Sequence, residues 1–149
     1  MTHFAHDHPS DPAPVRGKEV AAKAIIHWQR RILLQYRDCD PHIYHPGYWG
    51  FFGGLLEERE SPEQGLVREL EEELGWRVPR CDYLLTWRPD EQVIIYLYLA
   101  ELDVPLSALR LGEGAGMALV STAEIQTWKL APEVHLHLEE IDRRIGVMI

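Results

Sequence analysis

Few stretches leave a chain less freedom than Gly53 to Trp76, GGLLEERESPEQGLVRELEEELGW. Ser61 has the hydroxyl of an N-cap, Pro62 suits the first helical position, and Gln64 completes a Ser-x-x-Gln capping box. Gly75 supplies the stop. The spacing predicts a helix from about Pro62 to Leu74. At roughly 100° per residue, Leu66, Val67, Leu70 and Leu74 share one arc, and Glu69, Glu72 and Glu73 share the neighbouring one. One face packs and the next presents three carboxylates; by the same arithmetic Arg68 points away from them.

A solvated acidic face is the ordinary reading of such a charge run. Two costs weigh against it. Glu69 and Glu73 repel at i, i+4 by about 0.2–0.5 kcal/mol. Carboxylates in the last turn oppose the helix dipole by roughly 0.3–1 kcal/mol each. A divalent cation reverses both signs, and oxygen ligands without His or Cys suit Mg²⁺ or Mn²⁺.

Gly54, five residues, Glu60, seven residues, then Arg68-Glu69-Leu70-Glu71-Glu72-Glu73-Leu74-Gly75-Trp76 fits G-x5-E-x7-R-E-U-x-E-E-x-G-U, with U apolar, at every specified position. The segment resembles the box of the Nudix hydrolase family. The resemblance implies an α+β fold, an α/β/α sandwich around a central mixed β-sheet, and Mg²⁺-dependent hydrolysis with Mn²⁺ as a substitute. Its substrate would be a nucleoside diphosphate linked to another group, of the nucleoside triphosphate or nucleotide-sugar type, with water attacking phosphorus. It implies Glu69, Glu72 and Glu73 as metal ligands, and either Glu69 or a loop glutamate as the base. Glu113, in the glycine-rich LRLGEGAG, matches that loop residue, as ligand or base; the alternative is an exposed loop acid. By the same resemblance Glu60 orders neighbouring groups, and Arg68 ties loop and helix together through hydrogen bonds. Gly75 closes the motif structurally. A non-catalytic nucleotide sensor on the same scaffold is the rival reading, disfavoured because such members generally lose box carboxylates. Relatives are often dimers, so a homodimer is compatible.

A chain of 149 residues with 46% hydrophobic content has room for one core. Its formal charge of −9 argues against a general nucleic-acid or anionic-membrane surface. An anionic nucleotide must then be met locally, by metal and a few arginines. Two cysteines, Cys39 and Cys81, make no disulfide framework, and the longest strongly apolar run, Val93 to Ala100, is too short to span a bilayer. Without a secretory leader pattern at Met1, the expected location is the cytoplasm. Residues 1–16, rich in His, Asp and Pro, read as a disordered arm, and 17–149 as a single domain.

Lys18 to Trp28 and Arg31 to Arg37 read as a hairpin turning at Gln29-Arg30. Arg37, at the end of the second strand, is a candidate for substrate phosphate or base by resemblance, against an ordinary surface arginine. The connection Asp38 to Tyr48 is long and irregular, and His42, Tyr44 and His45 could reach a substrate. Trp49 opens WGFF before Gly53-Gly54, and these three residues join Arg37 on the substrate side; the glycines let backbone approach a phosphate or the metal helix. Phe52 stands where many relatives carry proline, which leaves the substrate open. Asp82 to Arg88 and Gln92 to Leu102 read as a second hairpin, with Tyr96 and Tyr98 in the core. Thr122 to Thr127 is a candidate short helix, and Pro132 to Ile145 a longer one covering the sheet face opposite the box helix, with His135 and His137 facing solvent.

Overall fold

β1 (Glu19–Trp28) explains the layering, because it is apolar on both faces. Ala22, Ala24 and Ile26 join one buried cluster and Ala21 and Ile25 the other, as alternation along a strand requires. In this computed structural model, residues 18–37, 47–112 and 116–147 are described. The arm expected at 1–16, Cys39, His42, Tyr44, His45 and Glu113 lie outside them.

β1 turns through Gln29 and Arg30, both at positive φ, into β2 (Arg31–Tyr36), as the hairpin reading expected. Two positive φ values fit the tight turn that matches strand twist. β3 (Trp49–Gly50) pairs with β2, and β4 (Phe52–Leu55) pairs with β1. The second hairpin is β5 (Asp82–Asp90) and β6 (Val93–Glu101), and β7 (Gly116–Ser121) pairs with β2. β1 and β6 run parallel while the other strand pairs among the described residues are antiparallel, so the sheet is mixed. β5 extends past the expected Arg88 because its register with β6 shifts between Trp87 and Asp90.

α1 (Pro62–Leu74) has the predicted bounds. Ser61 Oγ accepts from Gln64 N, Gln64 Oε1 accepts from Ser61 N, and Gly75 ends the helix at φ 63°. Leu66, Leu70 and Leu74 pack with Ala22, Phe52 and Tyr98 on one sheet face. On the other face α2 (Pro132–His135) and α3 (Leu138–Val147) bring Val134, Ile141 and Ile145 onto Ile25, Phe51 and Leu97. This is the expected α/β/α sandwich.

Two expectations at the C-terminal end change. Residues 122–127 form turns rather than a helix. Pro132 to Ile145 is two helices, and His137 is buried rather than solvent-facing. At the break, His137 Nδ1 lies 2.8 Å from the Glu133 carbonyl, the acceptor a continuous helix would give to the His137 amide. That amide bonds Val134 O instead. His135 is exposed, as expected.

Candidate active site

The three box carboxylates occupy different environments. Glu73 is buried; its Oε1 accepts from Gly53 N at 2.9 Å, and Gln35 Nε2 lies 3.5 Å from Oε2. The Glu69 side chain is mostly covered, and its carboxylate rests against Gly54, where a Cβ would lie 2.8 Å from it. Glu72 is the open member, with 58% of its side chain exposed. The three carboxylates that share one arc of the helix therefore grade from buried to exposed.

Arg68 corrects that arithmetic more sharply. Its guanidinium forks onto Glu60, Nε to Oε2 at 2.8 Å and Nη2 to Oε1 at 3.0 Å, and Nη2 also donates to the Leu55 carbonyl at 3.1 Å. These contacts tie loop to helix as the resemblance implied. Nη1 turns to the acids instead of away, reaching Glu69 Oε1 at 3.0 Å and Glu72 Oε2 at 3.4 Å. A helical wheel fixes the Cα–Cβ direction, whereas a long side chain can carry its charge across to the adjoining face. The Arg68 hydrogen bonds hold the Glu60 carboxyl below its ordinary range, and Glu60 in turn raises Arg68. Glu60 also accepts from Glu57 N at 2.8 Å.

Among the described residues no three acidic, imidazole or thiol side chains converge enough to enclose a metal as they stand. The reason is local: Arg68 holds Glu69 and Glu72, while Gly53 N–H holds Glu73. The donor chemistry nonetheless fits a hard divalent ion, since every candidate is a carboxylate. The notch at Gly54 fits too, because a side chain there would displace Glu69. The described part of the glycine-rich loop is fastened to the same end of the helix. Gly112 N donates to Glu73 O at 2.6 Å and Arg110 N to Leu74 O at 2.9 Å.

Gly53 and Gly54 also border a cleft of about 420 Å³, which Arg37, Lys23, Glu133, Ala21, Ile95 and Leu55 help to line. A larger hollow runs along the outer face of α1 past Val67 and Glu71, but it is an open surface strip without buried polar groups. Arg37 is among the residues lining this cleft. Trp49 does not line the cleft. Its ring packs between Tyr36 and Trp128, with centroids 5.1 and 4.8 Å away, and its carbonyl accepts from Ala131 N at 2.8 Å, anchoring the start of α2.

Lys23 and Glu133 went unremarked in the sequence. Lys23 is the one charge inside VAAKAII, a strand buried on both faces, and that mismatch was a readable signal. Glu133 carried none. Cys81 reads as inert: burial pushes its thiol up to about 11.

Residues 17–143 match the NUDIX domain family. The chain is a member of the Nudix family. It is 34% identical over 115 residues to the CTP pyrophosphohydrolase of Escherichia coli strain K12, covering 76% of this chain and 83% of that protein. It is 36% identical over 83 residues to an 8-oxo-dGTP diphosphatase from Proteus vulgaris, covering 54% and 72%. The MutT NUDIX hydrolase of Burkholderia pseudomallei superposes with a TM-score of 0.70 at 26% identity, covering 82% of this chain and 96% of that one. The protein is therefore a Nudix hydrolase, an enzyme of a family that acts on pyrophosphate linkages of small nucleotides and generally uses a divalent metal. No helix among the described residues of this Nudix chain is long and apolar enough to cross a membrane.

Proposed function

We propose that this Nudix hydrolase carries out Mg²⁺-dependent hydrolysis of a nucleoside triphosphate, with Mn²⁺ as a substitute. The observation that carries the reading is the double duty of Gly53 and Gly54. One side of this short strand meets the Glu69 and Glu73 carboxylates, and the same residues border the cleft that holds Arg37. A nucleoside seated in the cleft has its phosphate chain beside the acidic helix.

Glu69, Glu72 and Glu73, with Glu113 from the loop, are the residues that would hold the metal. A bound divalent ion neutralises phosphate charge and lowers the pKa of water. Arg37 meets phosphate from the cleft side. Glu60 and Arg68 position the acids. A carboxylate, Glu69 or Glu113, takes one proton from the attacking water as its oxygen bonds to phosphorus and the bridging P–O bond breaks. The rival, a sensor without turnover, is disfavoured because Glu69, Glu72 and Glu73 are all retained.

The test is a panel of nucleoside triphosphates, oxidised deoxynucleotides, dinucleotides and nucleotide sugars with Mg²⁺ or Mn²⁺, with products identified. Metal-dependent release of a nucleoside monophosphate from a triphosphate is the expected result. Binding without turnover across the panel would favour the sensor. The pH–rate profiles of Glu69→Gln and Glu113→Gln at saturating Mg²⁺ then distinguish base from ligand, since loss of a base removes a limb of the profile.

A further inference from the structure

We infer that Gln35 is a positioning residue for the metal site: its amide aims the carboxylate of Glu73 for a divalent ion without neutralising it. This rests on the reading of Glu73 as a metal ligand. Gln35 is 3% exposed and Glu73 2%, so water does little to orient either group. Glu73 is met at both oxygens by donors from two different strands. Gly53 N, on β4, lies 2.9 Å from Oε1, and Gln35 Nε2, on β2, lies 3.5 Å from Oε2.

The residue type needs an explanation. β2 reads RILLQY, and Ile32, Leu33 and Leu34 are fully buried beside Gln35. An amide there gives up hydration that hydrogen bonds must replace, whereas another leucine would pack without that demand. Packing alone does not account for it. Alternation puts Gln35 on the sheet face of Leu33, the face that carries Leu66, Leu70 and Leu74 of α1. Its side chain is thereby directed at the helix, where it meets Glu73. The donor stands on firm ground, because Gln35 is in register with Gly50 of β3 and with Met117 of β7.

A carboxylate only accepts, so the NH₂ end of the amide is the one that faces Oε2. A glutamate side chain is long and turns about its last bond. A donor at each oxygen restrains that turn, since the carboxylate plane cannot rotate without lengthening a contact. Mg²⁺ demands near-ideal octahedral geometry, which favours a ligand oxygen aimed in advance. The neutrality of the amide matters equally. A lysine or arginine at position 35 would offset the charge that attracts a cation, as Arg68 does beside Glu69 and Glu72. Glutamine restrains the same carboxylate and leaves its charge in place.

The test reads metal affinity apart from turnover. Mn²⁺ is titrated into the full chain without nucleotide, by calorimetry and by loss of the paramagnetic resonance signal of the free ion. Gln35→Met keeps the reach of the side chain and removes the amide. Gln35→Leu removes it with a different shape, and a metal-free melt of each shows which is folded. Leu33→Met is the packing control, on the same strand and face. Partners that hold a metal ligand are usually worth 10- to 100-fold in affinity, and a 3.5 Å contact belongs at the low end. Kd for Mn²⁺ should therefore rise about tenfold in the Gln35 variants and keep its wild-type value in Leu33→Met. With nucleotide, the Mg²⁺ needed for half-maximal rate should rise about tenfold, a loss that saturating Mg²⁺ largely recovers. Wild-type Mn²⁺ affinity in a folded Gln35 variant overturns the inference. So does an equal loss in Leu33→Met, a loss of rate that Mg²⁺ does not recover, or a wild-type chain that takes up no Mn²⁺. Weakened Mn²⁺ binding in the Gln35 variants, with no nucleotide hydrolysed by wild type, would leave the positioning role standing and sink the hydrolase proposal. Rapid hydrolysis with Mn²⁺ affinity indifferent to Gln35 would do the reverse.

Discussion

Placing a methyl group on each of two adjacent glycines should separate the fold from the chemistry. Gly53 has φ 135°, and a Cβ there would lie 2.2 Å from the Ala22 carbonyl oxygen and 2.7 Å from Lys23 Cα. Both are backbone atoms of β1, in the middle of the sheet. Gly53→Ala meets a backbone conformation costing about 1–3 kcal/mol and a packing conflict costing roughly 1–3 kcal/mol more. With about 2–4 °C of melting temperature per kcal/mol for a chain of this size, the fall should be on the order of 10 °C. Gly54 has no positive φ, and the nearest atoms its added Cβ would meet are those of the Glu69 carboxylate, at 2.8–2.9 Å. That carboxylate ends a flexible side chain, so Gly54→Ala should cost about 1 kcal/mol, a rotamer adjustment. Moving Glu69 should nonetheless lower Mg²⁺ affinity or turnover about 10- to 100-fold, the usual scale for disturbing a ligand's surroundings. Thermal melts and Mg²⁺ titrations of activity check both. A Gly53→Ala protein melting within about 2 °C of wild type, or a Gly54→Ala protein with wild-type metal dependence, would refute the geometry.

Three further outcomes follow from the same contacts. Arg68→Ala removes the fork on Glu60 and the bond to Leu55 O; these groups are partly exposed, so the loss should be about 1–3 kcal/mol in denaturant melts, and Arg68→Lys should restore less than half because it cannot fork. Mg²⁺ should raise the melting temperature, each tenfold excess over Kd adding about 1.4 kcal/mol, and Glu72→Gln should weaken that response. His27 sets a pH limit: burial lowers its pKa below 6.5, outweighing the raising effect of Glu101 and Asp82. Below 6.5 the unfolded chain then takes up more protons than the folded one, so stability is complete above that pH and declines as pH falls through it. Melting temperatures between pH 7.5 and 5.5 should drop for wild type and stay flatter for His27→Leu, in a range set by the imidazole titration.

What could be read before the structure follows the reach of the forces involved. The limits of α1 were legible because its caps act within four residues: Ser61, Gln64 and Gly75 each bond locally. The two faces of β1 and β6 were legible because alternation is a local rule. The break at Leu136 and His137 was not, since the apolar stripe Val134, Leu138, Ile141 runs straight through it. There the His137 amide takes the Val134 carbonyl and the imidazole meets the Glu133 carbonyl, a change of partners that the stripe does not register.

The same distinction divides the site. Spacing placed Glu69, Glu72 and Glu73 on one arc, because backbone geometry determines where each Cβ leaves the helix. It could not say which would be buried, as burial depends on Gly53 and Gln35 arriving from other strands. Nor could it aim Arg68, whose charge sits several bonds from that Cβ and goes where carboxylates gather. Lys23 and Glu133 are 110 residues apart and meet where α2 packs on the sheet, its start tied to β3 by the bond from Ala131 N to Trp49 O. A lysine in a doubly buried strand demands a partner, since an isolated buried charge costs far more than the strand's own packing returns. From the sequence one could infer that such a partner exists; identifying it as Glu133 required the topology. Weakening the Trp49 anchor should therefore loosen Glu133 and disturb the cleft before it disturbs the acidic helix, which packs on the opposite face of the sheet.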